Sequence, residues 1–302
     1  SSDLHDPNIL PKADEAIWLL RDRVVKFSAK KQFIADRVQR ATMLGEYVPQ
    51  LIGSTNNMYA YMFVEGDVMS QCVNLPIFEK LLRASQKFWK PVKLNSAEEL
   101  EFHDTCMNFY KEKTLQRVQL FYDTFNHQDN AFEINGKQYP SLTSLLDRVD
   151  WDYIADGLAG RFHGDFHFEN ILYNQTVDKF TFLDWRQNFG KSLSVGDIYY
   201  DLAKLLHGLI VCHELIAQNN FYAKWSGEKL QYDFYRKNIL VSCENHYYNW
   251  LEVNGYDSHK VRLLTALIYL NICGLHEFPY CLMLYGLGKE MLFNVLNEKC
   301  HE

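Results

Sequence analysis

One stretch near the middle of the chain limits its folding and its chemistry more than any other. Residues 161–173 read RFHGDFHFENILY, and residues 180–186 read FTFLDWR. Asp165, Asn170 and Asp184 therefore come close together in the sequence, and all three end in hard oxygen atoms. Mg²⁺ prefers such ligands and takes only one or two protein carboxylates, filling its shell with phosphate oxygens and water. Phosphoryl transfer needs little more from a protein than such a metal site and a carboxylate that receives the hydroxyl proton.

The same stretch predicts a β-hairpin. Residues 171–173 and 180–183 are apolar and β-branched or aromatic, and a turn begins at Asn174 between them. A hairpin of this kind brings Asp184 next to Asn170, because the end of the second strand lies beside the start of the first. The convergence of these side chains on one metal ion would follow from the geometry of the hairpin.

The order of these residues matches a known kinase pattern, in which H-R-D-x-x-x-x-N is followed by D-F-G. Here His163-Gly-Asp165 precedes Asn170, and Asp184 is followed by Trp-Arg. The pattern resembles the aminoglycoside phosphotransferase and choline kinase superfamily, whose members have a protein-kinase-like fold. The wider run at residues 184–205 looks closest to phosphotransferase-like domains of bacterial capsule and surface-polysaccharide gene clusters.

The resemblance implies an α+β, protein-kinase-like fold with two lobes. A small, β-rich and truncated N-terminal lobe would comprise residues 1–64, a hinge residues 65–70, and a mainly helical lobe with the catalytic loop residues 71–302. The implied function is transfer of the γ-phosphate of ATP or GTP, with Mg²⁺, to a hydroxyl of a small metabolite such as a sugar or an amino alcohol, in surface-polysaccharide biosynthesis.

The resemblance also assigns roles to residues. Asp165 is the expected catalytic base or hydroxyl-orienting residue, and Asn170 and Asp184 are the expected Mg²⁺ ligands. Lys26 lies in the second strand of a hairpin predicted at residues 17–27, where the fold presents the lysine that pairs with the α- and β-phosphates.

Further candidates lie at the hinge and in the loop. Backbone groups near Met62 and Val64 would hydrogen-bond the edge of an adenine. His167 and Glu169 lie inside the loop and would face substrate, while Arg186 is a fixed cation near the expected phosphate or an acidic substrate.

The same resemblance implies roles for residues that support the loop and Lys26. His163 would pack and hydrogen-bond the loop, and an aspartate at the position of Asp197 would brace it. No G-x-G-x-x-G precedes Lys26, so either a phosphate-covering loop was lost upstream or the Ser1–Ser2 region is its relic. The helix predicted at residues 29–45 lacks the usual glutamate, which leaves Asp36 as the acidic candidate to hold Lys26.

Two other functions remain open from the sequence. A catalytically inactive, kinase-like nucleotide-binding or regulatory domain of a polysaccharide-assembly protein would explain the missing glycine loop. A zinc hydrolase could use His163, Asp165 and His167, which would share one face if they lay on a strand. That zinc site would leave Asn170 and Asp184 unexplained.

The composition of the chain excludes several classes of protein. The 302 residues are 47% apolar and 23% charged, with a net charge of −7 that gives no footprint for nucleic acid. Seven scattered cysteines without a C-x-x-C pair favour a reduced, cytoplasmic location. No run is long and apolar enough to predict a membrane span. The start at Ser1, without an initiator methionine, is expected either of a fragment of a larger, multidomain protein or of a tag scar.

Helical periodicity predicts most of the second half of the chain. Helices are expected from Leu75 to Phe88, from Ser96 toward His127 with a capping box, from Ser141 onward, and at residues 228–254, 257–273 and 279–297. The last three are rich in aromatic residues. In the resembled family such helices wall the acceptor pocket, and aromatic pockets suit cations or sugar rings.

Overall fold

The computed structural model describes residues 14–298. The Ser1–Ser2 region and Cys300 lie outside the described residues. The cysteines inside this range are all free thiols. Among the helices of residues 14–298, none combines the length and the apolar content that crossing a bilayer requires.

An antiparallel sheet with one helix forms the N-terminal part of the described chain. Its elements are β1 (Glu15–Leu19), β2 (Arg23–Ser28), α1 (Lys31–Leu44), β3 (Leu51–Ser54) and β4 (Met58–Met62). The strand order is β1-β2-β4-β3, and Lys26 pairs with Ile17 of β1 and Tyr59 of β4. Helix α1 packs on this sheet and buries Ile34 and Leu44. The predicted hairpin and helix are confirmed.

The rest of the described chain is mainly helical, with short sheets between the helices. The elements of its first part are β5 (Asp67–Val68), α2 (Met69–Cys72), α3 (Leu75–Trp89), α4 (Ser96–Met107), α5 (Lys113–Phe125), β6 (Phe132–Ile134), β7 (Lys137–Tyr139), α6 (Leu142–Leu146), α7 (Trp151–Ala155) and β8 (Ala159–Gly160). Those of its second part are β9 (Ile171–Asn174), β10 (Lys179–Phe182), β11 (Gly196–Asp197), α8 (Ile198–Ile210), α9 (His213–Ala217), β12 (Phe221–Ser226), β13 (Lys229–Phe234), α10 (Asn238–Val253), α11 (Ser258–Cys273) and α12 (Tyr280–Asn297). Helix α11 packs against α5, α8 and α12 and is buried on nearly all sides.

The predicted helix at residues 228–254 is wrong over its first part. Strand β13 occupies that part, and α10 begins only at Asn238. Leu230 and Tyr232 are buried while their neighbours along β13 are exposed, which is the period of a strand. β13 pairs with β12 and, in parallel, with β6. The predicted helices at residues 257–273 and 279–297 are confirmed as α11 and α12.

Two other predicted helices are present in altered form. The helix expected from Ser96 toward His127 is divided into α4 and α5 by a π-helical turn at Asn108–Glu112. Its capping box lies one residue earlier than predicted, because Asn95 is the N-cap and Glu98 its partner. The helix expected after Ser141 is formed by the two short helices α6 and α7.

The hairpin predicted after Asn170 is confirmed. β9 and β10 pair antiparallel, with Ile171 opposite Phe182. The backbone N–H of Leu183 donates a hydrogen bond to the carbonyl of Asn170 at 2.7 Å. Asp184 follows directly, so the backbone brings it next to Asn170.

The loop at residues 163–165 is fixed by a buried carboxylate from α8. Asp201 accepts hydrogen bonds from the backbone N–H groups of His163 and Gly164, both at 2.6 Å, and from Nε1 of Trp89 at 3.1 Å. Burial raises the pKa of Asp201 to about 6, and these donors oppose that rise. Gly164 is required here: its φ is +89°, and a Cβ would meet Arg186 Cβ at 2.5 Å.

The brace expected at Asp197 is therefore wrong. Asp197 accepts hydrogen bonds from the N–H groups of Leu158 and Tyr199 and from the hydroxyl of Tyr110. It caps the start of α8 and ties it to the preceding strand. The loop is held instead by Asp201, one turn later, since that position of the helix faces the loop backbone.

His163 has the structural role expected of it. Its Nε2 lies 2.7 Å from the carbonyl of Leu183, and its Nδ1 accepts a hydrogen bond from the N–H of Asp165 at 3.2 Å. These partners assign the neutral ring with the proton on Nε2. Burial lowers the pKa of His163 to about 3, so the ring stays neutral near pH 7.

We expect Asp201→Asn to lower the free energy of unfolding by about 1.5–3 kcal/mol, because an amide offers only one acceptor to the two backbone N–H groups. Urea unfolding measures this loss. Asp178→Asn is the matched control: Asp178 is half-exposed and has φ +50°, which Asn tolerates. The control should change stability by less than about 0.5 kcal/mol; an equal loss in both variants would contradict the brace.

A second prediction concerns pH. The pKa of His163 is about 3 in the folded protein against 6.5 ordinarily, so between these values the folded state binds fewer protons than the unfolded state. The corresponding stability is present above pH 6.5 and is lost as the pH falls toward 3. We expect His163→Gln to reduce the pH slope of the unfolding free energy by up to about 1.4 kcal/mol per unit. Urea unfolding at pH 7, 6 and 5 checks this; parallel curves would refute it.

Candidate active site

Asp165 lies in the loop after Gly164 with its side chain 40% exposed. Its Oδ1 forms an ion pair with Lys204 Nζ at 2.8 Å, and its Oδ2 lies 3.5 Å from His167 Nε2. Burial alone would raise the pKa of Asp165, but the Lys204 charge and the interaction with His167 outweigh it and hold that pKa well below its usual range. Asp165 is therefore ionised and held in one orientation.

Lys204 is not among the predicted site residues. It lies on α8 with its side chain only 9% exposed, one helical turn after Asp201. The ion pair with Asp165 raises the pKa of Lys204 against the opposing effect of burial. A lysine between apolar residues of a predicted buried helix is the sequence signal that could have found it, because lysine is almost never fully buried without a partner.

Asp184 follows β10 and has φ +56°, a backbone conformation that aspartate adopts more readily than most residues. It forms a close ion pair with Lys26, and Arg37 Nη1 lies 3.3 Å from the same carboxylate oxygen. Burial would raise the pKa of Asp184, but Lys26 and Arg37 lower it well below its ordinary value. The second carboxylate oxygen has no protein partner among residues 14–298.

The acidic partner expected for Lys26 is not Asp36. Asp36 accepts hydrogen bonds from Gln32 Nε2 at 2.7 Å and Asn188 Nδ2 at 3.2 Å. Helix α1 instead directs Arg37 toward the site. Lys26 is paired with Asp184 itself.

Asn170 stands beside Asp165. Its Nδ2 donates to the backbone carbonyl of Asp165 at 2.9 Å and to Oδ2 of Asp165 at 3.1 Å, and it lies 3.1 Å from His167 Nε2. These contacts turn the amide nitrogen toward the loop, and the amide oxygen has no hydrogen-bond partner within the described residues. An amide oxygen and one oxygen of Asp184 are thus unengaged, and both suit Mg²⁺.

The geometry does not support the zinc site. Both ring nitrogens of His163 are hydrogen-bonded to the backbone, and the loop around it is not a strand. The described residues contain no group of three or more His, Cys, Asp or Glu arranged to hold a metal ion. The zinc hydrolase interpretation is therefore wrong.

Asp165 and Asp184 open on a cavity of about 320 Å³. Five of its lining side chains are cationic: Arg37, Lys113, Arg117, Arg186 and Lys204. An apolar wall of the cavity is formed by aliphatic residues of α11 and the turn after it: Leu264, Leu267, Ile268, Ile272 and Leu275. The aromatic residues that line the cavity come from other elements: Phe33, Phe109, Tyr110 and Tyr200. Tyr247 and Tyr269 of the C-terminal helices are buried in the core.

Of the substrate candidates, only Arg186 lines this cavity. His167 is buried, bonds Asn170 and packs against the His213 ring at 4.8 Å. Glu169 lines a separate small pocket. The structure therefore does not bring His167 and Glu169 to the cavity.

Met62 and Val64 lie where the N-terminal sheet ends. Met62 is the last residue of β4, opposite Arg23, and is half-exposed. Val64 follows outside any strand, and its backbone makes no hydrogen bond within residues 14–298. Neither residue nor Lys26 lines the 320 Å³ cavity.

A family model described as a phosphotransferase enzyme family matches residues 109–236. This range includes the loop with Asp165, the hairpin that ends at Asp184, and helix α8. It also covers the π-helical turn and α5, which contribute Lys113 and Arg117 to the cavity.

One curated protein with a similar sequence is the protein LicA homolog of Mycoplasma capricolum subsp. capricolum. It is 23% identical over 161 residues. The match spans 53% of this chain and 55% of that protein, so it covers about half of each.

Solved structures align with most of the chain. A Thermobifida fusca protein assigned as a fructosamine-3-kinase has a TM-score of 0.53 at 14% identity, over 90% of this chain and 85% of that one. A Plasmodium vivax ethanolamine kinase has a TM-score of 0.46 at 13% identity, over 90% and 75%. At these identities the first similarity establishes the fold alone. The predicted fold class and resemblance are thus confirmed: the chain has a protein-kinase-like fold, and its residues 109–236 match the phosphotransferase enzyme family.

Proposed function

We propose that this protein transfers the γ-phosphate of ATP or GTP to a hydroxyl group of a small molecule, such as a sugar, an amino alcohol or a related metabolite. One observation carries the proposal: Asp165 and Asp184 line a cavity that is also lined by five cations, and Asn170 donates a hydrogen bond to Asp165. Its volume of about 320 Å³ suits a small-molecule substrate.

We propose that the nucleotide binds between an N-terminal lobe at residues 1–64 and a helical lobe at residues 71–302, with residues 65–70 as the hinge. Two features support this. Val64 has a free backbone N–H and carbonyl for an adenine edge. Lys26 and Arg37 present two cations beside Asp184, where they would attract phosphate oxygens.

Asn170 and Asp184 would hold Mg²⁺, which would neutralise part of the phosphate charge when bound. Their unengaged oxygens support this assignment. Lys26 would then exchange Asp184 for the nucleotide phosphates, since both are anions within reach of its amine.

Asp165 would orient the acceptor hydroxyl and accept its proton. Its low pKa makes it a weak base toward a neutral alcohol, so the proton would move late, once the bond to phosphorus has begun to form. Lys204 would fix the carboxylate by holding Oδ1. Oδ2 accepts one hydrogen bond from Asn170 Nδ2 and would accept a second one from the hydroxyl. Arg186 would face the transferred phosphate.

We also propose a cytoplasmic location, where nucleotides and reduced thiols occur together. The free cysteines of the described range support it. The resemblance of residues 184–205 to domains of capsule and surface-polysaccharide gene clusters supports an acceptor from that biosynthesis.

A non-catalytic nucleotide-binding or regulatory domain of a polysaccharide-assembly protein is the second candidate. One observation favours it: β1 and β2 are joined by a tight turn without glycine, closed by a hydrogen bond from Leu20 N–H to Arg23 O. Such a turn offers few backbone N–H groups to phosphates. Turnover assays of the variants below separate the two candidates.

We expect Asp165→Asn to reduce phosphate transfer by about 10²–10⁴-fold while nucleotide binding is retained, because the amide cannot accept the hydroxyl proton. Release of ADP or GDP in the presence of acceptor mixtures measures transfer, and thermal stabilisation by Mg²⁺-nucleotide measures binding. Asp178→Asn is again the control and should keep full activity.

Loss of the carboxylate also leaves the buried Lys204 unpaired, which can destabilise the protein. The double variant Asp165→Asn with Lys204→Met removes that charge and should recover most of the melting temperature but not the turnover. Normal turnover in a folded Asp165→Asn protein would exclude Asp165 as the base.

We expect nucleotide to stabilise the protein only when Mg²⁺ is present, and Asp184→Asn to abolish this dependence because a metal ligand is removed. At a nucleotide concentration of 100 times Kd the stabilisation should be about 2.7 kcal/mol. Melting curves with Mg²⁺ and with EDTA measure it. A Mg²⁺-dependent shift that survives in Asp184→Asn would show that the metal ligands lie elsewhere.

A further inference from the structure

The cavity beside Asp165 holds more positive charge than its own carboxylates neutralise. Asp165 is paired with Lys204, and Asp184 with Lys26 and Arg37. The other cavity cations, Lys113, Arg117 and Arg186, form no ion pair with any carboxylate among residues 14–298. Protein cations that face a cavity without a counter-ion are typical of anion sites.

Two of these cations lie on one face of one helix. Lys113 and Arg117 are the first and fifth residues of α5, a spacing that places both side chains on the same side. Both line the cavity. Lys113 Nζ lies 4.2 Å from the centre of the Phe109 ring, which holds its amine over an aromatic face without neutralising it.

Lys113 is also under electrostatic strain. Burial lowers its pKa to about 7, and the charges of Arg186, Lys204 and Arg117 lower it as well. A bound anion would relieve this repulsion. Lys113 and Arg117 lie on the same side of α5, and neither has a carboxylate partner among residues 14–298. Both observations indicate that the missing partner is an anion.

This pair belongs to a different part of the fold from the cations beside Asp184, although Arg37 lines the same cavity. Lys26 and Arg37 belong to the N-terminal sheet and to α1, and both contact Asp184. Lys113 and Arg117 belong to α5, which packs against α11, so they lie beside the apolar wall. They border the space that an acceptor would occupy next to Asp165.

We propose that the acceptor is an anionic alcohol, carrying a phosphate ester or a carboxylate that Lys113 and Arg117 bind. This inference rests on the proposed function and narrows it, because it excludes cationic amino alcohols. The apolar residues of α11, Leu264 and Ile268 among them, would pack against the carbon skeleton. The hydroxyl would then point to Asp165 and the anionic group away from it.

Binding of inorganic phosphate tests the proposed anion site at Lys113 and Arg117. This test does not depend on the carbon skeleton of the acceptor. The full chain is saturated with Mg²⁺-ADP to fill the nucleotide site, and its melting temperature is measured in sodium phosphate against sodium chloride of equal ionic strength. We expect phosphate to raise the melting temperature. Lys113→Met with Arg117→Met should weaken the apparent phosphate affinity by at least about tenfold, because both charged partners are lost.

Lys111→Met is the matched control, since Lys111 lies in the adjoining π-helical turn but does not line the cavity. It should bind phosphate like the unaltered protein. Arg117→Lys keeps the charge and guards against a folding defect, so it should retain most of the affinity. No phosphate binding in the unaltered protein, or equal binding in the double variant, would overturn the proposal.

Hexoses that differ mainly in charge then test the reaction: glucose, glucosamine, glucuronate and glucose 6-phosphate. We expect ADP release above the acceptor-free rate only with the two anionic sugars, and the better of these two distinguishes carboxylate from phosphate ester. The double variant should raise KM by at least about tenfold with little change in kcat. Preferential turnover of glucose or glucosamine would overturn the proposal.

Different results would overturn the acceptor proposal and the proposed phosphotransferase function. Weaker Mg²⁺-nucleotide binding in the Lys113 and Arg117 double variant would assign this pair to the nucleotide and overturn the acceptor proposal alone. Absence of any Mg²⁺-dependent nucleotide stabilisation in the unaltered protein would overturn the proposed phosphotransferase function itself.

Discussion

The active-site geometry depends on two lysines that neutralise two partly buried carboxylates. Lys204 of α8 pairs with Asp165, and Lys26 of β2 pairs with Asp184. Burial raises the pKa of each carboxyl group, and the nearby Asp165 charge also raises that of Asp184. The lysines reverse both effects, so two like charges remain ionised side by side. Because Lys26 belongs to the N-terminal sheet and Asp184 follows a hairpin far along the chain, one of these ion pairs also joins the two parts of the protein.

Helix α1 explains how Lys26 can serve this purpose. An acidic residue on this helix would compete for the lysine, but Asp36 is engaged with Gln32 and Asn188. Arg37 reaches Asp184 instead. Within residues 14–298, the carboxylate therefore has two cationic partners, and the lysine has only the carboxylate. In the proposed complex, Asp184 would exchange Lys26 for Mg²⁺, and Lys26 would exchange Asp184 for phosphate oxygens.

The sequence was sufficient to predict which site residues a single hairpin brings together. It was not sufficient to predict which side chains distant helices add to the site. Asp165, Asn170 and Asp184 are near in sequence, and strand pairing alone makes them neighbours. Lys204 and Lys113 reach the same cavity only through the packing of α8 and α5, which no local pattern specifies. Likewise, acidic residues at the start of a helix predict a cap, but only the tertiary fold decides which of them meets the loop. Strand β13 could not be distinguished from a helix in the sequence, because its alternation of apolar and polar residues is short and its residues also suit a helix.

The charge of the cavity is opposite to that of the protein. The chain carries a net charge of −7, yet the cavity beside Asp165 is lined by five cations. Such local potential is what a site needs when a nucleotide and an anionic acceptor must approach each other, since their mutual repulsion opposes transfer. Burial, together with the neighbouring cations, lowers the pKa of Lys113. An anion that binds there would raise that pKa again, so the charge of the cavity would rise to match the charge that enters it.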